Sequence, residues 1–212
     1  MKLLARRKVL AMAAIAPVAA SVRSPAVAAA GDFVPETEGS ARKRIQEQHL
    51  PNVPLITHDG EEVRFYDDLV KDKVVSLNFF FAECDEICPT VMGNLAEVQR
   101  ILGEKVGRDV FMYSVTLRPQ EDTVDVLKYR RKTFGAKPGW TFLTGKPDEV
   151  EKLRKGIGFT NPAPALDKDK TQHIGNVRYG NEPFMLWAAC PGMAPPTFIA
   201  GAISRVLPAS PT

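Results

Sequence analysis

Apolar residues follow two periods along the chain, and from residue 51 onward these predict an alternation of strands and helices. Short apolar runs predict strands over residues 53–57, 63–65, 74–81, 109–116, 140–144, 174–178 and 184–189. Apolar residues at helical spacing predict a helix that begins near residue 88 and others over residues 123–134, 147–157 and 196–206. Between the first two strands, Asp59-Gly60 is a strong signal for a hairpin turn.

The two ends of the chain differ from this alternating region. Residues 1–30 combine the pair Arg6-Arg7, a short apolar stretch and a small-residue cleavage motif, which together predict a signal peptide of the twin-arginine type. Its apolar stretch is shorter than the roughly 20 residues of a spanning helix, so no transmembrane span is expected in the mature form. The composition predicts a polar linker or arm over residues 31–50 and one domain over residues 51–207. It predicts a frayed tail over residues 208–212.

The charge of the chain changes once residues 1–30 are set aside. Five of the 28 Lys and Arg residues and none of the 25 Asp and Glu residues lie in that segment. The formal net charge of +3 therefore becomes about −2, and no nucleic-acid binding is expected. The localisation expected is the periplasm, with membrane association if the segment is not cleaved. Export would place the three cysteines in an oxidising compartment, where a disulfide can persist.

Two cysteines separated by three residues, Cys84 and Cys88, follow the strand over residues 74–81 and precede a helix. This order predicts an α/β fold of the thioredoxin-like sandwich type, with a central mixed sheet, helices on both faces and an N-terminal β-hairpin. Two thiols at such a junction can form a redox-active disulfide, bind a metal, or do both; a structural disulfide or two buried apolar cysteines is the alternative. Because Pro89 starts the helix, Cys88 is predicted as the N-cap, where the helix dipole favours a thiolate.

The residues around the thiols favour metal binding over general disulfide exchange. The acids Glu83, Asp85 and Glu86 disfavour a thiolate in the free protein and would attract a cation. Of the three histidines, His49 and His58 are expected to be ordinary surface residues.

The third histidine, His173, ends a polar loop and can fold back over the cysteine helix. Two thiolates and one imidazole suit copper, because thiolates favour Cu(I) and imidazole also accepts Cu(II).

At these residues the chain resembles the SCO/SenC family of thioredoxin-like copper proteins, bacterial sub-branch, over residues 51–206. The resemblance is carried by residues 79–89 around the two cysteines, residues 113–123, residues 139–145 and His173. It implies that Cys84, Cys88 and His173 bind one copper ion, Cu(I) or Cu(II), per chain. It also implies a metallochaperone that delivers copper to, or reduces the thiols of, the binuclear copper centre of cytochrome c oxidase. The partner would be the copper-centre subunit of that oxidase or another periplasmic copper or thiol client.

Several residues depart from the family pattern or have an open role. Arg118 stands where the family motif usually has aspartate. Cys190 is expected as a small buried apolar residue, with a resolving thiol or an additional ligand as alternatives. Met185 and Met193 are soft enough for Cu(I), but methionines near aromatic residues are expected in the core.

Three other functions use the same residues. The main alternative is a periplasmic thiol–disulfide oxidoreductase that acts through Cys84 and Cys88 without physiological copper. A thiol peroxidase would need a hydroxyl residue three positions before the reactive cysteine, where the chain has Phe81 or Asp85. A structural zinc site would need both cysteines, His173 and Cys190 to converge.

Overall fold

The computed structural model describes residues 41–84, 87–168 and 175–208 of the chain. Its strands are β1 (Pro54–Thr57), β2 (Glu62–Arg64), β3 (Val74–Phe80), β4 (Phe111–Thr116), β5 (Trp140–Thr144), β6 (Asn176–Asn181) and β7 (Leu186–Pro191). Its α-helices are α1 (Ala41–His49), α2 (Cys88–Leu102), α3 (Val124–Thr133), α4 (Pro147–Gly156), α5 (Pro164–Lys168) and α6 (Pro196–Ser204). A π-helix spans Phe65–Val70 and a 3-10 turn spans Gly103–Lys105.

The strands form one mixed sheet in the order β2-β1-β5-β4-β3-β6-β7. The three central strands β3, β4 and β5 are parallel, whereas the outer pairs are antiparallel. The first two strands form the predicted N-terminal hairpin, with Gly60 at a positive φ in its turn. The predicted α/β, thioredoxin-like fold class is therefore confirmed, and the loop after β3 emerges at the edge where ligands of such sheets gather.

Helices cover both faces of the sheet because successive side chains of a strand point in opposite directions. On one face, Asn78 of β3 donates to the Sδ of Met92 in α2 (3.4 Å), and α2 packs against α6. On the opposite face, Phe79 packs against Phe159, which follows α4, with ring centroids 4.7 Å apart. The alternation within β3 therefore assigns α2 and α4 to different sides.

A buried polar network joins the three parallel strands beneath α2. The Ser114 hydroxyl donates to Oδ1 of Asn78 (2.6 Å) and accepts from Nε1 of Trp140 (2.9 Å). All three residues are at most 2% exposed, so each polar atom has exchanged water for a protein partner. The network ties the cysteine-bearing strand β3 to its neighbours β4 and β5.

The structure differs from the sequence prediction in four respects. Residues 41–49, predicted as part of a polar arm, form α1, and the π-helix over Phe65–Val70 and the short helix α5 were not predicted. The closing strands also lie about two residues later than predicted. The later position of β6 was not evident from the sequence because the strand contains Gly180, and glycine disfavours strands. Glycine is required at this position, since a Cβ would lie 2.4 Å from the ring of Trp187. The predicted signal segment over residues 1–30 lies outside the described residues.

Candidate metal centre

The two cysteines of the motif lie at the junction between β3 and α2. The helix begins at Cys88, its N-cap is Ile87, and Pro89 occupies the first turn. The prediction that Cys88 is the N-cap was therefore wrong by one residue, and Cys88 is already helical. The first turn of the helix places its thiol in the core, where it is 3% exposed, while Cys84 remains partly exposed.

Neither cysteine is in a disulfide, and their side chains are hydrogen bonded to each other. Burial, followed by the hydrogen bond with Cys84, raises the pKa of Cys88 far above its ordinary value. The expectation that the helix start would favour a thiolate at Cys88 is therefore wrong, because desolvation outweighs the helix dipole. A metal bound here would have to displace a proton, so its affinity would depend on pH.

A buried carboxylate supports the loop that carries Cys84. Oδ2 of Asp122 accepts a hydrogen bond from the backbone N–H of Ala82 (3.0 Å) and another from the hydroxyl of Thr116. Asp122 is 2% exposed, and burial raises its pKa. Sequence reasoning gave Asp122 no role, although it lies within residues 113–123, one of the segments that carries the family resemblance.

Arg118, which departs from the family pattern, lies beside the same loop. Its guanidinium is 4.3 Å from the ring centroid of Phe81, and its Nη1 donates to Glu121 (3.2 Å). Phe81 follows β3 directly and is 5% exposed. The guanidinium therefore covers an apolar ring at the root of the cysteine loop.

His173, Asp85 and Glu86 lie outside the described residues, but the chain reappears next to the cysteine helix two positions after His173. A Cβ added at Gly175 would lie 2.9 Å from Cδ1 of Ile87 and 3.6 Å from Cγ2 of Val91. Ile87 immediately precedes Cys88. Gly175, the first described residue after His173, therefore lies against the first turn of α2.

The family model described as SCO1/SenC matches residues 42–177, which is more than half of the chain. The chain belongs to the SCO1/SenC family. Among curated relatives, a SCO2-like protein of Rickettsia felis is 33% identical over 97 residues, which cover 46% of this chain and 45% of that protein. The chain spans less than two thirds of the length of the curated relatives that it matches.

Solved structures share the fold at lower sequence identity. ScoI of Bradyrhizobium japonicum, solved with copper bound, is 23% identical, with a TM-score of 0.59 over 73% of this chain and 97% of that one. BsSco, described as a member of the Sco family of cytochrome c oxidase assembly proteins and as containing a disulfide switch, is 20% identical. Its TM-score is 0.58, and the match covers 72% of this chain and 90% of that one. At these identities the likeness shows the fold.

In this SCO1/SenC protein the third cysteine lies in β7. Cys190 pairs with Val177 across β6 and β7 and is 5% exposed. Within residues 41–84, 87–168 and 175–208, no three His, Cys, Asp or Glu side chains form a group that could hold a metal. Cys190 is therefore a buried residue, as expected, and does not join Cys84 and Cys88 as an additional ligand.

The methionines and the other histidines of this SCO1/SenC protein differ partly from expectation. Met185 packs against the core, but Met193 is 52% exposed, so the core prediction is wrong for Met193. His49 is exposed as expected. His58 is 6% exposed, so the surface prediction is wrong for it. In the described part of the chain, no helix combines the length and apolar character needed to cross a membrane.

Proposed function

We propose that this SCO1/SenC protein binds one copper ion through Cys84, Cys88 and His173 and passes it to a client protein. The observation that carries the proposal is the hydrogen-bonded thiol pair at the start of α2, with Gly175 close to Ile87 beside it. Gly175, two positions after the proposed ligand His173, lies beside Ile87, which precedes Cys88, and this proximity supports the proposal. Copper is the cargo of the protein in this proposal.

The donor set fits both oxidation states of copper. Two thiolates favour Cu(I), and the imidazole extends the site to Cu(II). Binding requires loss of the thiol protons, and Cys88 holds its proton tightly because it is buried and bonded to Cys84. The affinity for copper is therefore expected to fall as the solution becomes more acidic.

Transfer, rather than storage, is favoured by the low number of ligands. Three protein ligands leave copper undercoordinated, so a thiolate or imidazole of a client can bind before the original ligands leave. Cys84 is partly exposed and is the natural first point of exchange, whereas Cys88 is buried. Glu83, exposed beside Cys84, would help to attract a client with a basic face.

The client that we propose is the subunit of cytochrome c oxidase that carries the binuclear copper centre. The support is family membership together with the copper-bound ScoI and the oxidase assembly role named for the family of BsSco. The proposed place of action is the periplasm, because residues 1–30 predict an export signal.

A second function, thiol–disulfide exchange, is supported by the unequal exposure of the two thiols. A partly exposed Cys84 hydrogen bonded to a buried Cys88 resembles a pair in which one thiol attacks and the other resolves. In this activity the Cys84–Cys88 dithiol would reduce a disulfide between the cysteines of the oxidase copper centre to two thiols and would itself become the Cys84–Cys88 disulfide. It predicts a Cys84–Cys88 disulfide when the protein is purified without reductant, which mass spectrometry of unreduced peptides would detect.

Copper titration of the reduced protein separates the two functions. We expect the wild type to bind one Cu(I) or one Cu(II) per chain. Cys84→Ser and Cys88→Ser should lose binding of both ions. His173→Ala should lose more affinity for Cu(II) than for Cu(I). The exposed His49→Ala is the matched control and should bind like the wild type. If His173→Ala binds copper normally while Cys84→Ser abolishes only disulfide exchange, the oxidoreductase function replaces the copper function.

A deletion strain should lose cytochrome c oxidase activity under copper limitation and regain it when copper is added.

A further inference from the structure

An apolar cavity of about 290 Å³, partly open to solvent, lies on the face of the sheet opposite α2. Its floor is formed by Val75, Leu77 and Tyr113, which alternate with the residues that face α2. Ile45 of α1 and Phe65 of the π-helix also line it. A cavity with these walls is separated from the cysteines by the sheet itself.

Two polar side chains of neighbouring strands line this apolar cavity. In the β6–β7 register Arg178 is opposite Ala189, and Gly180 is opposite Trp187, so Arg178 and Trp187 are diagonal neighbours on one face. The indole ring of Trp187 lies directly over Gly180, which has no Cβ to exclude it. This packing fixes the indole at the cavity wall beside the guanidinium.

Both side chains present a buried donor without an acceptor. Nε of Arg178 and Nε1 of Trp187 are buried and have no hydrogen-bond partner in the described residues. Nη2 of the guanidinium donates to the carbonyl of Gly158 (2.5 Å). Burial lowers the pKa of Arg178, and within the described ranges no carboxylate forms an ion pair with it. Two buried and unpaired N–H groups on one wall, one of which belongs to a half-buried guanidinium, call for an anionic acceptor.

We infer that this cavity binds a small apolar monocarboxylate, with its carboxylate on Arg178 and Trp187 and its tail against the floor of the sheet. A carboxylate supplies acceptors for both unpaired donors and neutralises the guanidinium. The apolar walls match a hydrocarbon tail and exclude a polar one. The volume lies near the lower end of small-molecule sites, so it suits a chain of about eight carbons. This binding site is independent of the copper proposal.

Titration with octanoate, followed by the two indole N–H resonances, tests the inference in the full chain. The indole N–H of Trp187 should shift saturably, because its Nε1 gains an acceptor. The indole N–H of Trp140 is an internal control, because it already donates to Ser114 in the core (2.9 Å) and should not move. The absence of a saturable shift at Trp187 would overturn the inference.

A ligand series on the wild type tests the charge requirement without any substitution. Octanoate should bind more tightly than octanol, and octylammonium should not bind. Equal affinity for octanoate and octanol would overturn the assignment of Arg178 as the anion partner and leave only an apolar cavity.

Variants of the two donors give an independent test. Arg178→Gln should weaken octanoate binding about tenfold or more, since a hydrogen bond to a charged group is lost. Trp187→Phe, measured by calorimetry, should weaken it less because only a neutral donor is removed. Lys152→Gln, at an exposed lysine of α4, is the matched control and should bind like the wild type. Cys84→Ser should also bind octanoate normally, and loss of binding in that variant would contradict a site on the opposite face.

Discussion

The carboxylate of Asp122 accepts a hydrogen bond from the backbone N–H of Ala82 at 3.0 Å, two residues before Cys84. It also accepts from the hydroxyl of Thr116, so one buried group joins the end of β4 to the start of the cysteine loop. The position of the cysteine loop therefore depends on a residue 38 positions later that is not itself a proposed ligand.

We predict that Asp122→Ala destabilises the protein by about 1–3 kcal/mol, because the buried N–H of Ala82 loses its acceptor. Urea denaturation measures the loss. Asp122→Asn should cost less, since its amide oxygen can still accept from Ala82. Alkylation of the buried Cys88 by iodoacetamide should become faster in Asp122→Ala as the loop loosens.

The control for this prediction is Asp125→Asn, at an exposed acid in the first turn of α3. That variant should leave the alkylation rate of Cys88 unchanged. Its free energy of unfolding should differ from that of the wild type by no more than about 1 kcal/mol. Equal alkylation rates in Asp122→Ala and the wild type would show that the carboxylate does not hold the loop.

A second prediction concerns Glu182, which connects the N-terminal helix α1 to the sheet. Its carboxylate is fully buried and accepts from Nη2 of Arg42 (3.0 Å), the hydroxyl of Tyr66 (2.9 Å) and the backbone N–H of Asp72 (2.8 Å). Glu182→Gln puts an amide NH₂ among three donors and removes the ion pair. We expect the free energy of unfolding to fall by about 1.5–3 kcal/mol. We also expect faster tryptic cleavage after Lys43 and Arg44.

The matched control is Glu97→Gln, in the exposed pair between Glu97 and Arg100. An exposed pair contributes little, so no measurable change in stability is expected. If Glu182→Gln is as stable as Glu97→Gln, then Arg42 does not hold α1 in place.

Elements with strong local signals could be predicted from the sequence almost to the residue. The strand over Trp140–Thr144 has the predicted bounds, because a short apolar run is enclosed by Gly139 and Gly145. The helix α3 begins one residue after the predicted start, since Thr123 is its N-cap and accepts from the N–H of Val126.

Features that depend on distant partners could not be predicted in this way. The docking of α1 requires Glu182, 140 positions from Arg42, and neither residue has a local signal of its own. At the site, the spacing of Cys84 and Cys88 indicated a thiol pair, but the raised pKa of Cys88 comes from burial by the complete fold. The supporting role of Asp122 likewise needs the loop after β3 to pass over it.

The buried His58 gives a third prediction, on the pH dependence of stability. Its Nδ1 accepts from the backbone N–H of Phe142 (3.2 Å), and burial lowers its pKa although Asp59 partly opposes this shift. The folded state therefore takes up a proton less readily than the unfolded state. Stability contributed by the neutral ring is present above the ordinary pKa of about 6.5 and is lost as the pH falls below it.

Urea denaturation between pH 7.5 and pH 5 tests this prediction. His58→Asn keeps an acceptor for Phe142 but cannot titrate, so its stability should fall less than that of the wild type over this range. His49→Gln, at an exposed histidine, should follow the wild type. Parallel curves for the wild type and His58→Asn would contradict the lowered pKa.

The last prediction uses the close approach between Gly175 and Ile87 to test whether the segment after His173 must lie against the cysteine helix. A Cβ at Gly175 would lie 2.9 Å from Cδ1 of Ile87, which is closer than real Cβ atoms approach a neighbour. Gly175→Ala should therefore displace the side chain of Ile87 and disturb the contact between Gly175 and α2. If His173 is a ligand, copper binding should weaken by more than the folding stability changes, with Cu(II) more affected than Cu(I).

A second substitution makes this prediction specific. Ile87→Val removes Cδ1, the atom that the new methyl group would meet, and the other neighbours of the Cβ lie at ordinary contact distances. The double variant Gly175→Ala, Ile87→Val should therefore recover Cu(II) affinity that Gly175→Ala loses. Gly93→Ala in α2, where an added Cβ meets nothing within 4 Å, is the control and should stabilise the helix by about 0.5–1 kcal/mol without changing copper binding. Failure of Ile87→Val to restore Cu(II) binding would mean that the contact with Ile87 does not position His173.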